Sequence, residues 1–203
     1  MNPEQISVGV PIQPKSKLES WAFGILTAII FLVPIAFLPL PYLQQSAVKG
    51  YIVIFGVLTV AILYIISRLK ARSFEWISHP LVYIGIALGI LLLASSISSG
   101  SFMKSFFGLG YEYSTAAFLI ILGISARLSA LFSSRGSKHI LTLYTAIICS
   151  FAVLVIFQIV KLIAPSAVSF GLFSGATSTL IGSWYDLGIF SGIVFILSSL
   201  AFI

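Results

Sequence analysis

Five side chains in this sequence combine charge with a position near the edge of a long apolar run: Lys49, Lys104, Glu112, Lys161 and Asp186. An ammonium is a compact point charge with three donors, and it suits the oxygens of a phosphate. Lys104 and Glu112 flank one short segment, while Asp186 follows Trp184 and Tyr185 where the last apolar run begins. An acid at the edge of an apolar span is costly unless it is paired or hydrated. Asp186 is therefore either a site residue or the cap of the helix it opens. The lysines have an equally ordinary use as anchors among lipid headgroups. His79 and His139 lack the carboxylates or spaced ligands of a metal centre, so no metal is expected. The run Phe106-Phe107-Gly108-Leu109-Gly110 has no strand–turn–helix context, and reads as a tight turn at the membrane surface rather than a phosphate loop.

The elements that must position these groups are set by where charge is missing. Apolar residues make up 59% of the 203 and charged residues 8%, against roughly 25% charged in ordinary soluble domains. A hydrocarbon layer of ~30 Å takes roughly 20 apolar helical residues to cross. Runs of about that length occupy 21–38, 51–67, 81–98, 116–132, 140–163 and 187–203. Their continuity excludes the alternating strands of a barrel, and lipid-embedded backbone must then be helical. The expected fold is all-α, a polytopic transmembrane bundle of six spans, with residues 1–17 as a tail and 18–203 as one membrane domain. The last run is still apolar at Ile203, so a longer protein is expected.

Basic residues orient the bundle. Lys15, Lys17, Arg68, Lys70, Arg72, Arg127, Arg135 and Lys138 fall on one side, leaving Lys49, Lys104 and Lys161 of the eleven on the other. The richer side is expected in the cytoplasm, with the N-terminus inside. The net charge of +6 is thereby a matter of membrane orientation and not of nucleic-acid binding. Gly85 and Gly89 have the spacing that lets two helix backbones approach. Cys149, the single cysteine, lies inside a span and is expected to be a small packing residue. The segment 164–186, long and rich in Gly, Ser and Thr, is expected to dip into the outer interface.

Two stretches carry a resemblance. His79-Pro80-Leu81 starts a span that ends in Ser95, Ser96 and Ser98, followed by Lys104-Ser105-Phe106-Phe107-Gly108 before the next span. Leu180-Ile181-Gly182-Ser183-Trp184-Tyr185-Asp186-Leu187-Gly188 then enters the last one. Together they resemble the N-terminal half of the bacterial O-antigen ligase and polymerase family, with Tyr185 and Asp186 standing where that family more often has asparagine. The resemblance implies part of an inner-membrane glycosyltransferase that moves a glycan from an undecaprenyl-diphosphate carrier to a lipid, glycan or protein acceptor, without a cofactor. The family's catalytic periplasmic loop would lie beyond this chain, so no catalytic residue is carried over. Lys49, Lys104, Lys161 and Asp186 are the expected contacts to the carrier diphosphate. The expected partners are that carrier-linked glycan and membrane lipids. Two other classes stay open: a non-enzymatic multispanning scaffold, and a fragment of a transporter, although the spans hold few midplane charges and do not repeat.

Overall fold

The computed structural model describes residues 16–37, 45–72, 80–108, 115–164 and 179–201. These form seven helices: α1 (Lys17–Ile35), α2 (Gln45–Ala71), α3 (Pro80–Ser98), α4 (Phe102–Phe107), α5 (Ala116–Ser133), α6 (Ser137–Ile163) and α7 (Trp184–Ala201). The protein is all-helical among the described residues, and α1, α2, α5, α6 and α7 are long and apolar enough to cross a membrane. The apolar helix Val82–Ser98, the part of α3 for which side chains are described, is shorter than these five. The tail before Ser16, His79, Gly110, Glu112 and most of the segment 164–186 lie outside the described residues.

Local chemistry explains several helix ends. Ser16 caps α1, accepting a hydrogen bond at Oγ from the Glu19 amide, and Thr115 does the same for α5 through the Phe118 amide. Pro34 sits in the last turn of α1; it has no N–H to give the Ile30 carbonyl and its ring crowds that carbonyl, and the helix stops one residue later at Ile35. Apolar length alone underestimates α2 and α6, which run 27 residues each and carry Lys49, Arg68 and Lys161 into their terminal turns. The expected surface turn at Phe106–Gly108 is the end of the short helix α4, closed by Gly108 at φ 76°.

The core forms where α1, α2 and α5 meet, from Ala22, Leu26, Ile29, Val57, Val60, Leu128 and Phe132. Gly56 lies against Ile29: a Cβ there would stand 2.5 Å from its Cδ1. α6 packs along α1, and α7 joins through Leu154, Leu180, Phe157, Leu187 and Phe190. α3 and α4 lie against α5 on the flank. The outer surface is apolar on every long helix, with Phe55, Leu91, Leu162 and Phe195 all facing outward. That is the surface a lipid solvent requires, since no polar shell covers it.

Two expectations need correction. A Cβ on Gly85 or Gly89 would meet nothing within 4 Å, so among the described residues no helix is drawn close there; the close helix approach belongs to Gly56. Cys149 is exposed and does not pack inside. It falls beside the buried face of α6 and not on it: that face runs through Leu143, Ala146, Ser150, Leu154, Gln158 and Lys161.

Candidate functional site

The polar groups of the bundle gather at its two ends. At one end, Lys49 lies in the first turns of α2 and is only 7% exposed. Its Nζ donates to three backbone carbonyls: Pro34 at 3.1 Å, Leu180 at 2.7 Å and Ile181 at 2.9 Å. Each acceptor has a reason to be available. Pro34 belongs to the last turn of α1, whose carbonyls lack intrahelical partners, and Leu180 and Ile181 lie in the turn before α7. An ammonium has three donors and no acceptor, so Lys49 here commits its whole capacity to clasping α1 and the α7 entrance onto α2.

That entrance is itself tightly built. The Thr179 amide donates to Gly182 O at 2.9 Å and the Gly182 amide donates back to Thr179 O at 3.2 Å. Gly182 has φ +147°, and a Cβ would stand 2.6 Å from Asp186 Oδ2, so only glycine fits without strain. Ser183 and Asp186 then form a capping box. The Ser183 amide and hydroxyl each donate to Asp186 Oδ2 at 2.8 Å, and the Asp186 amide returns a bond to Ser183 Oγ at 3.3 Å. Asp186 also lies close enough to Lys49 for their opposite charges to attract.

Lys161 occupies the last turn of α6, buried and engaged with other groups of the chain. Lys49, Lys161 and Asp186 therefore share one end of the bundle. Lys104 is exposed on α4, which rests on α3 and α5, a separate flank. Gln158 lies three residues before Lys161 on the same buried face and is 6% exposed. Neither its amide oxygen nor its amide nitrogen finds a hydrogen-bond partner among the described residues, and the same holds for Ser150 Oγ. Leaving such a group buried and unpaired costs ~1–3 kcal/mol.

The opposite end holds a cluster that charge counting passes over. Glu19, 5% exposed, accepts a salt bridge from Arg68 at 2.7 Å and is paired with Arg135 as well. Ser16 and Ser67 share a hydrogen bond between their hydroxyls. Arg68 lies over the Tyr64 ring at 5.2 Å and Arg135 over Phe132 at 5.6 Å, while Phe23 meets His139 edge-on at 4.7 Å. One carboxylate thus ties α1 to α2 and to the α5–α6 junction. The pattern Ser16-x-x-Glu19 is the signal that would have found it, and Ser183-x-x-Asp186 marks the other end in the same way. In α7 the acid closes back on its own cap; in α1 the arginines take it. No group of three or more His, Cys, Asp or Glu residues with metal-site geometry occurs among the described residues. No family model, curated protein or solved structure matches the chain.

Proposed function

We propose that this chain is the N-terminal membrane part of an O-antigen ligase-like enzyme, set in a bacterial inner membrane with six spans and its N-terminus inside. In this reading it holds the diphosphate of an undecaprenyl-linked glycan at the end of the bundle where α2 and α7 begin. The observation that carries the reading is the gathering of Lys49, Lys161 and Asp186 at that end, with the unpaired amide of Gln158 beside them. Lys49 has its donors committed to carbonyls; in this reading the phosphate contact falls chiefly to Lys161, which would exchange contacts within the chain for phosphate oxygens, with Lys104 as a peripheral cation. The sixth span in this reading is α3, and the arginine-rich Glu19 end is the cytoplasmic one by the positive-inside rule.

A second reading, a non-enzymatic membrane scaffold, is favoured by one observation: both charged clusters close on the chain itself, Lys49 on carbonyls and Glu19 on arginines. Binding separates the two. With the full protein in nanodiscs, Lys161→Gln should weaken undecaprenyl-diphosphate binding at least tenfold, while Lys104→Ala, at an exposed position, should leave the fold intact and weaken it less. Wild-type protein that takes up no carrier lipid would leave the scaffold as the better account.

A further inference from the structure

From the buried face of α6, we infer that Gln158 and Lys161 form a site for a phosphate-bearing headgroup, entered at the end of α6 and lying between helices rather than on the outer surface. Its identification with a carrier lipid rests on the function proposed above; the site itself does not. Four observations meet here. Gln158 presents an acceptor and two donors that no described group uses, although it is almost wholly buried. Lys161 stands three residues further along the same buried face, so its charge and the amide lie one helical turn apart. The depth suits it: α6 has 27 residues, ~40 Å of helix against ~30 Å of hydrocarbon, so an even division leaves about one turn beyond the hydrocarbon at each end, with Lys161 at headgroup level and Gln158 just inside it. Finally, the negative charge of Asp186, held by Ser183, is offset by the nearby positive charge of Lys49.

The chemistry follows from the donor set. An ammonium neutralises phosphate charge, and an adjacent amide NH2 donates to a second oxygen while its carbonyl accepts from a protonated phosphate or a neighbouring hydroxyl. Basic pockets between transmembrane helices recognise headgroups in this manner. An amide kept without a partner is a poor choice for stability, since an apolar side chain of the same size packs better. It is a sensible choice for a group that waits for a ligand.

The test uses Gln158→Met, nearly equal in volume, in the full protein reconstituted in nanodiscs. Gln158→Leu repeats it should the methionine variant not insert. Thermal unfolding without ligand is compared first, then the shift produced by undecaprenyl diphosphate, by inorganic pyrophosphate and by phosphatidylglycerol. The expected result is an unliganded Tm equal to or above wild type, with at least a tenfold loss in affinity for the probe that stabilises the wild type. If that probe is phosphatidylglycerol or pyrophosphate alone, the site stands and the carrier-lipid function falls. A lower unliganded Tm, undiminished binding in the variant, or no stabilisation of the wild type by any probe would overturn the site.

Discussion

Glu19 sets one carboxylate against two guanidiniums, Arg68 and Arg135, at a place where water is scarce. Breaking a buried pair is far worse than never having it, because the remaining charge keeps its desolvation cost. Glu19→Gln should therefore lower stability by ~3–5 kcal/mol, read as a fall in Tm in detergent. Adding Arg68→Met to that variant should recover part of the loss, since Arg135 is the more exposed of the two arginines. Lys49→Met should also destabilise, by ~2–4 kcal/mol, because it orphans carbonyls of two separate segments. A gain in Tm for that variant would show that the ammonium is not the clasp described. At this scale the sequence was half legible. Lys49, Lys161 and Asp186 stood out as charges beside apolar runs, but the partners of Lys49 and Asp186 are backbone carbonyls and a capping serine, which carry no residue-type signature at a distance. Glu19 does not stand out in the sequence, because its two partners lie 49 and 116 residues further along the chain.

Helices were the most legible level, since apolar length reports them directly. Their ends were not, because α2 and α6 extend through charged residues that hydropathy excludes and that tertiary contacts retain. Glycines show the same division. The spacing of Gly85 and Gly89 suggested close packing, whereas the glycine in contact is Gly56, isolated in sequence and facing Ile29 across the α1–α2 seam. Gly56→Ala should cost ~1–3 kcal/mol, as small-to-large changes in packed seams do. Gly85→Ala and Gly89→Ala should be neutral, or should stabilise by up to ~1 kcal/mol through helix propensity alone. Thermal unfolding of the three variants side by side checks both statements. A loss at Gly85 or Gly89 matching that at Gly56 would mean that a second molecule covers α3.

For the whole molecule, hydropathy gave the class and the charges gave a sidedness, yet neither says which helices touch. The arrangement depends on a core where α1 meets α2 and α5, and on polar ties at both ends that no composition measure records. The antiparallel order puts Arg135 at the Glu19 end and Thr179 at the Lys49 end. Reporter fusions after these two residues should therefore fall on opposite sides of the membrane, with Arg135 in the cytoplasm. Both reporters on one side would mean that α6 does not carry the chain across.

The Lys49 clasp also implies a clock for biogenesis. The bond from Lys49 to Leu180 joins positions 131 residues apart, a stretch that a ribosome takes on the order of ten seconds to synthesise. The tie from Glu19 to Arg68 spans only 49 residues and is available far sooner. During that interval α1 and α2 have already met, while an ammonium at the rim of the bundle waits for two of its three acceptors. Insertion then proceeds in two stages, an early hairpin secured at one end and a late closure when α7 emerges. A chain arrested before Thr179 would be left with a hydrated lysine at the membrane surface, a feature that a quality-control protease can read as unfinished.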